Sequence, residues 1–398
     1  MVASSYPRYE GDSASIFLRY LAQRVADAGF QVHILAPSDA RVRFDIDDKG
    51  VKVHYFRYFP KCRNMLAYGS GILPNIRNHP WTVVQIPFFI VSMFFSVLKL
   101  SRLHRPDIIH AHWLIPVGLV AALSSKFTNV PVVVTAHGGD AFGMKGKVAR
   151  LLKALTMKNS DAWTANTEGT AAAAFGTDQL NSQKLSVIPM GVDASLFASG
   201  NRTELRRELD SEILLILFVG RLVEKKGVRY LLKAAAHLIN RRSMELQLWI
   251  VGDGECSASL KELAASLEIE AHVRFFGMVP NKSLPDYYAA ADLFVAPSVV
   301  DRRGDTEGQG VVIIEAMAAG VAVVASRVGG ISGVIDDGST GILCEPESSM
   351  ALSNAIEELI VSGWSASLAD RAREKIEREY DWPVVARRFS QLYRRTIR

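Results

Sequence analysis

The stretch Asp305-Thr306-Glu307-Gly308-Gln309-Gly310-Val311-Val312-Ile313-Ile314-Glu315-Ala316-Met317-Ala318-Ala319-Gly320 reads as a polar, glycine-bearing loop that runs into an apolar helix. Glu315 lies inside that helix between Ile314 and Ala316, residue types that belong in a core. An ionised carboxylate there needs a partner, and a hydroxyl-rich ligand held at the helix N-terminus would supply one. A surface loop followed by an ordinary core helix, with its Glu at a solvated edge, fits the same residues. The flanking sequence decides between the two.

Around this stretch, strand and helix patterns alternate. Leu214–Val219, Leu246–Val251, 273–276, Leu293–Ala296 and 321–326 are apolar runs of strand length with helical patterns between them, such as 228–240. Polar loops follow the strands at 220–227, 252–254, 298–310 and 327–330. In a doubly wound parallel sheet these carboxyl ends converge on one crevice. Arg221 and Lys226 bring two positive charges to it, and the glycines let backbone amides approach an anion, which makes a diphosphate site. Gly252-Asp253-Gly254 alone is a common turn; the coincidence of the loops is the stronger signal.

The first half repeats the alternation. A helix is expected from about residue 13, with Phe17, Leu21, Val25 and Ala28 on one face and Gly29 at its end, then a strand at 32–36. Asp12 and Ser13 are capping types, and the loop carrying Gly11 could present a helix N-terminus to phosphate or carboxylate; an ordinary capped turn fits as well. A doubly wound domain would place a full apolar strand before this loop, where the chain has only Met1-Val2-Ala3. The first strand is therefore expected to be stunted or missing, leaving the sheet short of part of a central strand. Runs at 107–112 and 130–136 flank a helical pattern at 116–127, and the second leads directly into His137-Gly138-Gly139-Asp140. That position, past the carboxyl end of a strand, makes His137 a better site candidate than His110 or His112, which read as strand or rim residues. Further strands are expected at Ala162–Ala165 and 185–188, and a linker at 198–210. The tail is helical at 365–380 and 384–397 with a break at Trp382-Pro383, which either returns the chain to the first half or is a local kink. The expected domains are 1–195, joined by 381–398, and 196–380.

With 398 residues, 49% hydrophobic and 22% charged, the composition is that of a soluble two-domain protein. A net charge of +5 without a dense basic tract gives no reason to expect nucleic acid as a partner. Cys62, Cys256 and Cys344 are widely spaced, which suits a reducing, cytoplasmic compartment and argues against both a disulfide framework and a zinc site. The start MVASSYPRYEGD has no signal-peptide pattern. The apolar segment 83–98 is shorter than a bilayer span and contains Gln85 and Pro87. A buried helix against a sheet is the favoured reading. Its basic flank Lys99, Arg102, His104 and Arg105 also suits peripheral contact with an anionic membrane at the inner face of the cell.

Taken together, these motifs resemble the group 1 family of retaining glycosyltransferases with the GT-B fold. Glu307 and Glu315 match the family's Glu-x7-Glu spacing, followed by Ala316-Met317-Ala318-Ala319-Gly320. Gly220-Arg221-Leu222-Val223-Glu224-Lys225-Lys226-Gly227, Val251-Gly252-Asp253-Gly254, His137-Gly138-Gly139-Asp140 and Pro189-Met190-Gly191-Val192-Asp193 are similar too, in the family's order. Departures are the stunted first strand and Gly11-Asp12, where many members have paired glycines.

The resemblance implies an α/β protein of two Rossmann-like domains facing a cleft, the first for the acceptor and the second for a nucleotide-diphosphate sugar, which is a co-substrate and not a cofactor. It implies that Arg221 and Lys226 neutralise the departing diphosphate and that Glu315 accepts hydrogen bonds from the ribose. Glu307, with amides around Gly308, Gln309 and Gly310, would hold the donated sugar. His137 would contact sugar or acceptor when the cleft closes, with Asp140 and Gly11 among the substrate contacts of the first domain and Gly252, Asp253 and Gly254 among those of the second. Retention by front-face displacement is implied, without a protein nucleophile. Asp253 lies in no Asp-x-Asp pair, so no metal is expected. The acceptor would be a glycan, a lipid-linked or another hydroxyl compound, in the building of envelope polysaccharide or glycolipid. A catalytically silent nucleotide-sugar-binding scaffold and a nucleotide-sugar epimerase are the competing readings; the joint presence of Glu307, Glu315, Arg221, Lys226 and His137 favours the transferase.

Overall fold

In the computed structural model, all residues are described except 10, 13, 40, 41, 43–45, 61–63, 70, 208–212, 364 and 398, so the expected cap Ser13 and Cys62 lie outside the described residues. Contacts divide the chain into two units, Met1–Met190 with Val385–Arg398, and Gly191–Val384.

In the first unit the strands are β1 Val32–Pro37, β2 Ile46–Asp48, β3 Val51–Phe56, β4 Ile109–His112, β5 Val132–Ala136, β6 Ala162–Ala165 and β7 Leu185–Val187. β2-β3-β1 and β4-β5-β6-β7 are hydrogen-bonded in those orders, all parallel except β2 with β3. Met1-Val2-Ala3 joins the two sets. Val2 bridges Leu35 on one side and Ala111 on the other, Ala3 N–H donates to Leu35 C=O at 3.0 Å, and His112 N–H donates to Val2 C=O at 2.9 Å. The stunted strand thus occupies the central position and leaves the sheet continuous there. Val2 and Ala3 are buried, so these few residues are also core.

The last helix, Trp382–Ile397, brings buried Phe389 and Tyr393 to this unit. The Tyr393 hydroxyl lies 2.6 Å from His110 Nδ1, whose other nitrogen is 2.6 Å from Thr135 Oγ1. His110 is therefore a core residue tied at both nitrogens, not a rim residue.

The apolar segment expected to be buried all round is buried on one side only. It forms the helix Gln85–His104, and its buried residues Gln85, Phe89, Met93, Val97 and Ser101 recur every four positions. That spacing makes one stripe, packed on the sheet and on the helix Leu119–Thr128. Phe88, Val91 and Phe95 face outward and are more than half exposed.

The second unit holds β8 Leu214–Val219, β9 Leu246–Val251, β10 Val273–Gly277, β11 Leu293–Ala296, β12 Ala322–Ser326 and β13 Ile342–Cys344, in the order β10-β9-β8-β11-β12-β13. Every pairing is parallel. The central strands are apolar on both faces because helices cover both, and the unit accordingly has one core cluster on each side of its sheet. The direction of winding reverses between β8 and β11, and that reversal is what opens a crevice at the strand ends.

The expected linker at 198–210 is, as far as 207, part of this unit. Gly191–Val384 already includes it, and the helices Ala194–Ala198 and Arg202–Arg206 pack on the helix Leu284–Ala290. Arg202 and Arg206 both pair with Asp292. The Arg/Glu-rich composition marks a surface helix docked by ion pairs, which composition cannot distinguish from a linker.

Candidate functional site

Two loops leave the reversal point of the second unit, one after β8 and one after β11. They are fastened together: Val299 N–H donates to Lys225 C=O at 2.8 Å, and Lys225 Nζ reaches Asp305 Oδ2 at 3.1 Å and Thr306 C=O at 3.2 Å. Gly227 has φ +66°, and a Cβ there would stand 1.8 Å from Pro297 O, so only glycine lets the two loops approach. Fastening the loops places Lys226 Nζ 3.2 Å from Glu307 Oε2.

Glu307 is nearly buried, and its Oε1 has no hydrogen-bond partner among the described residues. Burial alone would raise its pKa, but Lys226, Lys225 and Arg221 outweigh that and hold it below the ordinary carboxylate range. The result is an ionised carboxylate with one oxygen unsatisfied at the strand-end crevice. Such an atom has a large desolvation cost unless a donor reaches it. Backbone position is set from the far side, where Gly330 N–H donates to Glu307 C=O at 2.9 Å.

Glu315, on the helix Val311–Ala318, has the partner that its place in the sequence called for, and the partner is protein. Tyr288 Oη–H donates to Glu315 Oε2 at 2.8 Å. Burial pushes the Glu315 carboxyl up to about 7, partly offset by the Tyr288 hydrogen bond and by Lys226. Arg221 is exposed and Gln309 buried.

The loop 252–254 is not the open amide cradle expected of it. Gly252 N–H donates to Gly277 C=O at 2.8 Å, and Gly254 N–H to its neighbour Asp253 Oδ1 at 2.7 Å. A Cβ on Gly252 would lie 1.9 Å from Gly220 O, and one on Gly254 2.4 Å from Leu222 O. These glycines let two loops of the protein pack together.

In the first unit a second group of polar side chains gathers at the carboxyl ends of β4, β5 and β6. His137 caps the short helix Gly138–Phe142. Its Nε2 is 3.2 Å from His112 Nδ1 and its Nδ1 is 3.4 Å from Asn166 Nδ2. Phe17 and Trp113 pack their rings at 5.2 and 5.1 Å from its imidazole. Burial lowers the His137 pKa to about 3, so the ring is neutral at neutral pH and acts as a hydrogen-bonding group, not as an acid. Asp140, expected among the substrate contacts, is instead consumed by the fold: Oδ2 accepts from Leu114 N–H at 2.6 Å and Oδ1 from His137 N–H at 2.8 Å. It positions His137. Burial raises its pKa to about 6, against the pull of those N–H donors.

Gly11 is exposed with φ +86°, and its neighbour Asp12 is taken by Arg8 at 2.6 Å. Arg8 also pairs with Asp39 and lies 4.2 Å over the Tyr68 ring, so it organises this loop.

Tyr288, Trp113 and Asn166 escaped the sequence reading, Lys225 entered it only as a member of the 220–227 loop, and His112 was set below His137. Tyr288 and Lys225 act through contacts long in sequence, and no local pattern marks them. Trp113 carries a signal only in its backbone, with φ +74° at a bulky residue. Among the described residues His112 Nε2 and Asn166 Oδ1 are buried without partners, which makes them candidates as strong as His137.

Comparison with known proteins bears on both units. The family model described as glycosyl transferases group 1 matches residues 201–379, and that of glycosyltransferase family 4 matches 14–196. A D-inositol 3-phosphate glycosyltransferase of Pseudarthrobacter chlorophenolicus is 30% identical over 370 residues, 87% of this chain and 81% of that protein. A putative teichuronic acid biosynthesis glycosyltransferase of Bacillus subtilis is 31% identical over 417 residues, covering 96% and 94%. Among solved structures, sucrose-phosphate synthase of Thermosynechococcus elongatus superposes with TM-score 0.77 at 21% identity over 99% of this chain and 98% of that one. Anabaena HepE in complex with UDP-glucose gives 0.74 at 20% identity, covering 99% of each. The shared fold is GT-B.

Proposed function

Because the chain belongs to the group 1 glycosyltransferases, we propose that it transfers a sugar from a nucleotide-diphosphate sugar to a hydroxyl acceptor, with retention of anomeric configuration, in the synthesis of an envelope glycan or glycolipid. The observation that carries the donor half of this reading is the unsatisfied Oε1 of Glu307, beside Lys226 where the sheet of the second unit reverses. A sugar hydroxyl is the donor that this atom lacks. Arg221 and Lys226 stabilise the negative charge that grows on the diphosphate as it leaves, a contribution greatest in the transition state. Glu315 accepts from the ribose with the oxygen that Tyr288 does not use. The solution of the Anabaena neighbour with UDP-glucose supports this class of donor.

In the front-face route the bond from the anomeric carbon to the leaving phosphate oxygen breaks as the acceptor oxygen adds on the same face. The phosphate takes the acceptor's proton, and no protein nucleophile is required. His137, neutral and oriented by Asp140, is the hydrogen-bonding contact proposed for sugar or acceptor.

For the place of action we propose the cytoplasmic side of an anionic membrane. Support comes from the outward Phe88, Val91 and Phe95 with Lys99, Arg102 and Arg105 at the end of their helix, and from the neighbouring Phe127, 70% exposed. The helix spanning 80–104 is also long and apolar enough to cross a membrane by length and composition, but its buried stripe on the sheet favours lying on one.

A panel of nucleotide sugars screened by thermal shift tests the proposal, since a ligand at 100 times its Kd adds about 2.7 kcal/mol of apparent stability. One donor should stabilise the protein and release free nucleotide when acceptor is added. Failure of every donor to bind or to release nucleotide would overturn the reading.

A further inference from the structure

Three imidazoles meet in the first unit, apart from the cluster around His137. His33 is on β1 and His54 on β3, and the parallel register sets His33 opposite Lys52, two positions before His54. A strand period of two therefore puts both rings on one face of the sheet. His104 is the last residue of the helix Gln85–His104, which packs against β1 and β3. One nitrogen from each ring comes within 4.8 Å of the others, and His33 Nδ1 is 2.9 Å from His54 Nε2. Ring centroids are 4.2 Å apart for His33 and His104 and 5.3 Å for His54 and His104.

We propose that His33, His54 and His104 form a binding site for one borderline transition-metal ion, of which Zn2+ is the representative case. Three imidazole nitrogens without a carboxylate select Zn2+, Ni2+, Co2+ or Cu2+ over the oxygen-seeking Mg2+ and Ca2+. Nitrogens about 2.0–2.1 Å from a tetrahedral metal lie roughly 3.4 Å from one another, so side-chain adjustment alone closes the site. His33 and His54 are half-buried and His104 is exposed, which leaves the ion an entry path and a fourth position for water. The carboxyl end of the long helix adds a favourable field for a cation. This departs from the expectation of no zinc site drawn from the cysteine spacing, because three histidine ligands need no cysteine.

The ion would clip the end of the helix Gln85–His104 to two strands near the amino-terminal edge of the sheet. His137 stands at the carboxyl edge, so the role is structural and separate from transfer. This inference does not depend on the proposed function.

The full-length, tag-free protein, stripped with a chelator and dialysed, is titrated with Zn2+ by calorimetry and with Co2+ by visible absorption. One equivalent of each should bind, with intense low-coordinate Co2+ bands and a rise in Tm. His54→Gln and His104→Gln should each lose the bound equivalent and the Tm rise, while the metal-free variants melt with the metal-free parent. His104 is exposed, so its replacement leaves folding intact. No stoichiometric binding by the parent, or binding that persists in both variants, would overturn the site and leave the cluster as a hydrogen-bonded histidine pair with a third ring tilted against it.

Discussion

At the scale of single residues, the two glutamates of the 305–320 stretch differ in charge although both are withdrawn from water. Glu307 is kept ionised by three cations, whereas Glu315 faces one hydroxyl and titrates near 7. Its folded pKa lies above the unfolded 4.5, so its protonated form contributes stability that is fully present below about 4.5. That contribution fades as pH rises through about 7. Ribose hydroxyls favour the ionised form, so nucleoside diphosphate binding should tighten between pH 6 and 8. Calorimetry in two buffers of different ionisation enthalpy should detect a proton released on binding, and Glu315→Gln should abolish both effects. A pH-independent affinity in the parent would remove the ribose assignment. Lys226→Ala leaves Glu307 without its nearest cation and the diphosphate of the proposed donor with Arg221 as its remaining counter-charge. Turnover should fall roughly 100- to 1,000-fold, the scale of losing one preorganised transition-state donor. Because the lost interaction belongs to the transition state, kcat should fall more than KM rises.

Elements show where composition misleads. The apolar run at 83–98 has the composition of a buried helix, yet its four-residue stripe of buried side chains needs only one face. Replacing Phe88 and Phe95 with Ser should leave thermal stability within about 0.5 kcal/mol, as expected of exposed positions. The same double variant should lose co-sedimentation with anionic liposomes, and unaltered co-sedimentation would end the membrane proposal. The loop 252–254 illustrates the converse. Glycine there signalled room for a ligand, but tertiary contact assigns the space to Gly220 and Leu222. Gly252→Ala should cost about 2–3 kcal/mol by overpacking and by its φ of +130°, measurable by denaturant melts in the absence of any nucleotide.

At the scale of the molecule, the chain leaves its first unit at Met190 and returns to it at Val385. The returning helix contributes Val385, Ala386, Phe389, Leu392 and Tyr393, all buried, and the Tyr393 contact to His110. Truncation after Val384 should therefore weaken the first unit while the second keeps its own core. In a thermal scan the transition should split or broaden, and nucleoside diphosphate binding should survive in the second unit. A single unshifted transition would show that the returning helix is dispensable.

The parallel α/β alternation, the strand-end loops and the Glu-x7-Glu spacing were legible in the chain because each rests on a local pattern: apolar period, glycine placement, charge against a helix start. The shortness of the run Met1-Val2-Ala3 was legible too, but not how it pairs. Only the tertiary structure could show Val2 bridging Leu35 and Ala111, because strand pairing joins residues that no window of sequence holds together. The same reason hid Tyr288 from Glu315 and Leu114 from Asp140, partners separated by 27 and 26 positions. Sequence by itself determined which chemical groups the sheet ends would carry. Which of those groups stay free for a ligand was decided by the fold, because a buried polar atom takes whatever partner packing brings within reach.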